Sequence, residues 1–205
     1  NIFDFIEREN INRVCFYHLV YSGRGTAMKN QDVTAEESRR AMDIIIRRTK
    51  DFEDRGLEKE ILTVDNHCDG VYMYLKAVSE GNDQQAAQIK KYISMNGGNR
   101  SGIAFGEVDP FGYVHPDQFT QHHTFGNVRD RKFSEIWQDI SNPIMAGLKD
   151  RKPLLKGRCS KCRFLENCNG NFRTRAEAVT GDFWESDPSC YLTDEEIGIV
   201  GGADK

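Results

Sequence analysis

Cys159, Cys162, Cys168 and Cys190 stand in a C-x2-C-x5-C-x21-C pattern. A C-x2-C pair sets two thiolates on one tight turn, where both can face a single ion or cluster. The third cysteine closes the same loop, and the fourth returns from downstream, after Pro188. Soft thiolates select zinc or iron–sulfur clusters. Four of them suit an all-thiolate zinc site or a 4Fe–4S cluster. Zinc ribbons usually present two separated C-x2-C pairs and this chain has one, so the spacing favours iron–sulfur while leaving a zinc knuckle open.

Around these cysteines, Asn169, Gly170 and Asn171 follow Cys168 directly. Gly170 would permit close backbone approach, so that N–H groups reach cluster sulfurs. Arg163, Arg173 and Arg175 make the surroundings basic. Each alone reads as part of a solvated helix face; together they would offset thiolate charge or bind carboxylates. Cys15 and Cys68 stand apart from the cluster.

The elements that must position these groups begin with a short helix over residues 3–9. A mostly apolar run, Arg13 to Tyr21, predicts a buried strand, broken by Gly23 and Gly25. Thr34 and Glu37 make a capping box for a helix to about Arg55, which Gly56 stops. Glu60 to Val64 predicts a second buried strand, Asp65 to Gly70 a polar loop, and residues 71–78 and 83–95 two helices. Strand, polar loop, helix repeated in this way is the rhythm of an α/β domain with a parallel sheet. Ligands of such sheets sit at the carboxyl ends of the strands.

That rule makes His18, Ser22 and Arg24 candidates for contact with a cofactor or a substrate carboxylate. Asp65, Asn66 and His67 form a second polar tip at the same edge. His18 reads equally as a hydrogen-bonded core histidine.

After Gly98 the pattern changes. Residues 103–108 and 113–115 flank a turn, Asp109 to Gly112, that reads as a β-hairpin. Short helices are expected over 133–139, 143–149 and 174–179. The boundary is placed near residue 100. His115, His122 and His123 lie in this section, and a histidine can ligate a metal or donate a proton; a polar loop is the bland alternative. Ile136 and Trp137 read as core.

Composition sets the outer limits. The net charge is −4, from 28 basic and 32 acidic side chains, which gives no general pull toward nucleic acid. No apolar run approaches the ~20 residues needed to span a bilayer. The chain lacks an initiator Met and is expected to be part of a longer one. Its cysteines suit metal binding in a reducing compartment better than disulfides, so a cytoplasmic, anaerobic setting is expected.

Several long motifs carry a more specific signal. GRCSKCRFLENCNGNFRTRAEAVTGDFWESDPSCYLTDEEIG resembles the C-terminal SPASM/twitch region of radical SAM enzymes. The likeness is narrower to the branch acting on siroheme-derived tetrapyrroles. It extends through FGNVRDRKFSEIWQDISNPIMAGLK and GGNRSGIAFGEVDPFGYVHPDQF, back to LTVDNHCDG and RVCFYHLVYSGRG. The resemblance implies an α/β fold: residues 1–98 as the C-terminal part of a partial (β/α)6 barrel, then a small α+β SPASM/twitch domain over 99–205.

It further implies that the four clustered cysteines hold an auxiliary 4Fe–4S cluster. The family's C-x3-C-x2-C triplet, which binds the cluster that cleaves S-adenosylmethionine, does not occur here; Cys15 and Cys68 are 53 positions apart. That second cluster and S-adenosylmethionine are thus expected in a part of the protein outside this sequence, and the chain alone is not expected to start radical chemistry. In the intact enzyme a 5′-deoxyadenosyl radical would attack a side chain of an iron tetrapyrrole. The electron would come from an external donor such as ferredoxin or flavodoxin.

Within the branch, TVDNH and HPDQF favour conversion of 12,18-didecarboxysiroheme to Fe-coproporphyrin III. Propionate chemistry toward d1-type heme is the runner-up and peptide modification the third. A non-enzymatic four-cysteine metal or electron-transfer module is the alternative from another class. His18, Asp65, His67, His122 and His123 are the candidates for catalysis, and Ser22, Arg24 and Asn66 for binding S-adenosylmethionine or substrate.

Overall fold

A computed structural model of the chain describes residues 1–199. Helix α1 (Ile2–Arg8) starts at Asn1, whose side chain accepts from the Phe3 and Asp4 N–H groups. It delivers Phe3 and Ile6 onto Phe52, forming a small apolar cluster. Strand β1 (Arg13–Tyr17) and strand β2 (Glu60–Val64) pair in parallel, with Arg13 opposite Glu60 and Tyr17 opposite Val64. The crossover between them is helix α2 (Ala35–Asp54). Its capping box forms as predicted: the Glu37 N–H donates to Thr34 Oγ1, and Glu37 reaches back to the Thr34 N–H. Gly56 ends it in the left-handed region.

Strand β1 is shorter than the apolar run that signals it. The ladder's last bond runs from the His18 N–H to the Val64 carbonyl. Asp65 then turns to φ +68, which ends β2 and leaves Leu19 to Tyr21 nothing to pair with. Val20 and Tyr21 are still buried, but in irregular chain. The strand is also only half-buried, with Tyr17 68% exposed. A 3-10 run over Gly23–Gln31 follows where sequence suggested only a break.

The polar loop after β2 is shorter than predicted. Helix α3 (Cys68–Ser79) already includes Cys68, Asp69 and Gly70, because the Asn66 side-chain oxygen accepts from the Cys68 N–H and nucleates the first turn. Helix α4 (Asp83–Asn96) returns against α3, and Gly97 caps it in the left-handed region. Beyond it, a Cβ on Gly98 would lie 2.1 Å from the Cys168 carbonyl carbon, so only glycine allows this approach.

The later section holds a small antiparallel pair, β3 (Glu107–Val108) and β4 (Val114–His115). The Asp109 carboxylate ties its turn by accepting from the Phe111 and Tyr113 N–H groups. Residues 103–106 turn rather than extend, placing Gly106 against the Trp137 ring. Short helices follow: α5 (Phe133–Gln138), α6 (Pro143–Lys149), α7 (Leu165–Cys168), α8 (Arg173–Thr180) and α9 (Asp194–Ile197). Ile136 is fully buried, whereas Trp137 is half-buried under Lys149.

The main apolar cluster draws on both sections. Met42, Cys68, Val71 and Tyr72 pack with Phe164, Tyr191, Leu192 and Ile197. At ~25 cal/mol per Å2 of apolar surface removed from water, such burial is the chief force holding α2 and α3 to the cysteine-bearing loops. Among the described residues, no helix is long and apolar enough to cross a membrane.

Candidate metal centre and strand-end cavities

The cysteine loops converge. Cys159 opens a 3-10 turn over Cys159–Lys161, Cys162 closes it, Cys168 ends α7, and Cys190 lies in the segment before α9. All four line one enclosed cavity of about 490 Å3. None is in a disulfide. A backbone N–H reaches each sulfur: Asp187 to Cys159, Phe164 to Cys162, Gly170 to Cys168 and Leu192 to Cys190. The Phe164 contact is 3.3 Å.

Such donors favour thiolate over thiol. Burial opposes them and pushes the thiols of Cys159, Cys162 and Cys168 up, helped by repulsion between neighbouring thiolates. Four sulfurs so placed are poorly suited as free thiols, and the two guanidinium groups beside them, Arg158 and Arg173, supply only part of the positive charge that four thiolates need. A bound metal centre supplies the missing positive charge and deprotonates its ligands. The donor set therefore fits a four-thiolate zinc or iron–sulfur site.

A fifth cysteine shares this wall. Cys68, at the start of α3, lines the same cavity. The neighbouring Cys68 thiol, with the Leu192 N–H, holds the Cys190 thiol below its ordinary value, while burial pushes Cys68 itself up. Sequence alone gave no reason to join Cys68 to the others, since 91 residues separate it from Cys159.

The arginines are not a solvated face, with one exception. Arg163 is exposed, its Nε donating to the Glu196 carbonyl. Arg173 and Arg175 are buried because α8 runs under the cluster loops. Arg173 donates to the carbonyls of Gly170, Phe183 and Glu185 and faces Cys159 and Cys168. Arg175 pairs with Asp187 at 2.8 Å, both side chains fully enclosed. Its Nη1 reaches the carbonyls of Leu19 at 3.2 Å and Asp65 at 2.8 Å. One guanidinium thus clamps both strand ends to the loop carrying Cys190.

Two open cavities flank those strand ends and meet at Asp65. The first, about 1190 Å3, is lined by His18, Ser22 and Arg24, with Phe119 from the later section. The Ser22 hydroxyl donates to the Phe119 carbonyl at 2.7 Å, and so serves as a latch between sections. The second, about 1360 Å3, is lined by Asn66, His67, Tyr92 and Phe172 among others. Asn66 engages its whole amide internally, donating to the Ser189 carbonyl and accepting from Asn171 and Cys68. His67 stacks on Phe172, and burial lowers its pKa to about 4, which keeps the imidazole neutral. Burial pushes the Asp65 carboxyl up, against the pull of Arg175 and His18.

The remaining histidines lie elsewhere. His122 and His123 both turn Nε2 to Glu177, at 2.7 and 3.1 Å, a trio with metal-ligand geometry. His115 is buried, with Nδ1 against the His123 carbonyl at 3.0 Å. Sequence reading missed Asp69, Glu177, Asp187 and Tyr191, whose partners lie 12 to 122 residues away.

No family model matches the chain. Curated relatives do. It is 57% identical over 200 residues to Fe-coproporphyrin III synthase of Methanosarcina barkeri, which covers 96% of this chain and 50% of that protein. It is 39% identical over 198 residues to pre-heme d1 synthase of Dinoroseobacter shibae, covering 96% of this chain and 49% of the relative. AdoMet-dependent heme synthase of Methanosarcina barkeri matches at 35% over 99 residues, 48% of this chain and 27% of that protein. The chain spans about half the length of the first two relatives. Over almost all of its own length it is similar to an Fe-coproporphyrin III synthase and a pre-heme d1 synthase.

Proposed function

We propose that this chain, a homologue of heme-forming synthases, is the auxiliary-cluster portion of a radical SAM enzyme that converts 12,18-didecarboxysiroheme to Fe-coproporphyrin III. The observation that carries this is the convergence of Cys159, Cys162, Cys168 and Cys190 on one cavity, in a chain 57% identical to an Fe-coproporphyrin III synthase. The lower identity to the pre-heme d1 synthase makes propionate chemistry the weaker reading. In this reading β1, α2, β2 and α3 are the last strands and helices of a partial barrel. The later section is a SPASM/twitch domain.

The four cysteines hold the 4Fe–4S cluster, with Gly170 and three other N–H donors set against their sulfurs. When bound, the cluster supplies one-electron transfer beside the substrate. Phe164, Leu165, Leu192 and Ile197 surround it with an apolar wall. The strand-end cavities offer the space for a tetrapyrrole and S-adenosylmethionine, and Arg175 fixes the Asp65 backbone between them. His122 and His123, held by Glu177, are available as iron ligands only if that carboxylate releases them.

The full-length protein, purified anaerobically, is expected to carry ~4 iron per chain at this site in addition to the S-adenosylmethionine cluster. With reductant and S-adenosylmethionine it should release 5′-deoxyadenosine and yield Fe-coproporphyrin III from 12,18-didecarboxysiroheme. One zinc per chain at the four cysteines, with iron only at the S-adenosylmethionine cluster, would refute the cluster assignment. Iron-loaded protein that leaves the tetrapyrrole unchanged would refute the substrate.

A further inference from the structure

The wall of the cavity beyond β1 is tied to the cysteine loop through side chains that the proposed cluster does not use. His18 Nε2 lies 3.0 Å from Asp69 Oδ2. The other Asp69 oxygen accepts from the Tyr191 hydroxyl at 2.6 Å. Tyr191 follows Cys190 directly, and its ring stacks on that of His18, with centroids 6.4 Å apart and planes 16° from parallel. The Asp69 side chain is 4% exposed, so its carboxylate is held by these two partners and not by water.

This arrangement directs one imidazole nitrogen and leaves the other free. Nε2 is fixed on Asp69, while Nδ1 makes no hydrogen bond among the described residues. Arg24 lines the same cavity, is exposed, and has no acidic partner among the described residues. An imidazole with one nitrogen anchored and the other open, beside an unpaired guanidinium, is a carboxylate receptor when both ring nitrogens carry a proton. Asp65 shares the wall.

We propose that His18 and Arg24 bind a carboxylate arm of the tetrapyrrole substrate, and that Asp69 and Tyr191 are positioning residues linking this receptor to the Cys190 segment. The proposal rests on the tetrapyrrole reading above. It makes order in the cluster loop a condition for holding the substrate. The Tyr191 hydroxyl sets Asp69, Asp69 sets the imidazole, and the imidazole meets the substrate arm.

The test uses the full-length, cluster-loaded protein under anaerobic conditions. Iron uroporphyrin III, which carries acetate and propionate arms, is titrated by absorbance beside its octamethyl ester, which carries no free carboxylate. Wild-type protein should bind the acid more tightly than the ester. His18→Gln and Arg24→Ala should each weaken the acid tenfold or more and leave the ester unchanged. Asp69→Asn and Tyr191→Phe should weaken the acid three- to tenfold, again sparing the ester, with iron content at the wild-type level.

Variants that bind the acid as wild type does would overturn the receptor, as would variants that lose acid and ester alike. A selective loss of S-adenosylmethionine binding in His18→Gln would assign the carboxylate to that cofactor and overturn the assignment to substrate. Wild-type protein that binds neither porphyrin would overturn the tetrapyrrole reading and the receptor with it. Wild-type binding with unaffected variants overturns the receptor alone.

Discussion

Replacing Arg175 by Met tests whether the clamp between the strand ends and the cysteine loop stabilises the fold. The Arg175–Asp187 pair is fully enclosed, with contacts of 3.0 and 3.2 Å from Nε and 2.8 Å from Nη2. Methionine fills similar space without donors. Asp187 would keep its N–H donors from Phe172 at 3.0 Å and Ser189 at 2.9 Å but lose its counter-charge. The Leu19 and Asp65 carbonyls would lose the Nη1 donor they share. Removing one partner of a buried ion pair costs about 3–5 kcal/mol, because the other charge stays buried without compensation. For a chain of this size 1 kcal/mol moves the midpoint by about 2–4 °C, so the variant should melt about 6–20 °C lower.

The assay is anaerobic thermal unfolding of cluster-loaded protein, followed by circular dichroism and by cluster absorbance. Glu166→Gln serves as control, since its bridge to Lys152 lies at the surface with the carboxylate 74% exposed, where such pairs contribute ~0–1 kcal/mol. If Arg175→Met shifts the midpoint no more than this control, the clamp is not a stabilising element and the reasoning fails.

Four further variants test the cavity and its surroundings. Cys168→Ala should cut iron at the auxiliary site sharply. Cys68→Ala should retain all of it, since Cys68 sits on α3 outside the four-cysteine loops and is not counted as a ligand; iron loss from Cys68→Ala would make it one. Gly98→Ala should destabilise by about 1–3 kcal/mol or more and lower cluster occupancy, because the new Cβ overlaps the Cys168 backbone at 2.1 Å and the residue sits at φ +71. Normal iron content and melting would contradict that contact. His67 is depressed from 6.5 to about 4 in the folded chain, so between those values the unfolded chain binds the extra proton. Its contribution is full above pH 6.5 and is lost as pH falls toward 4, by as much as about 3 kcal/mol. His67→Gln should flatten that slope in denaturant titrations, and an unchanged slope would show that His67 is not its source.

What the sequence made legible was local. Thr34 and Glu37 mark the start of α2 because a capping box is closed within four residues. Gly56 marks the end of α2 for the same reason, at positive φ. The C-x2-C pair announced the cysteine turn. The end of β1 was not legible from Leu19, Val20 and Tyr21, which are apolar enough to continue a strand. It is set by Asp65, whose turn to φ +68 removes the neighbouring chain. The polar groups after β2 suggested a loop, but the Asn66 side chain starts a helix there. Arg173 and Arg175 read as surface residues because their charge is visible in sequence and their burial is not.

The long-range partners explain why function was legible at the cysteines and not around them. Asn66 meets Ser189 and Asn171, Arg175 meets Asp65, and Tyr191 meets Asp69, all across more than 100 residues. Each of these contacts joins a strand-end residue to the segments bearing Cys168 or Cys190. A hydrogen bond across that distance leaves no periodicity and no spacing rule for a sequence to display. Yet these bonds decide what the cysteine site faces. Without them the four thiolates would form a separate knuckle, for which zinc suffices. With them, the loop holding Cys190 is set by the same side chains that shape the open cavities at the strand ends. The linkage through Arg175, Asn66 and Tyr191 therefore ties the geometry of the cysteine site to that of the strand-end cavities, so a change on either side should be felt on the other.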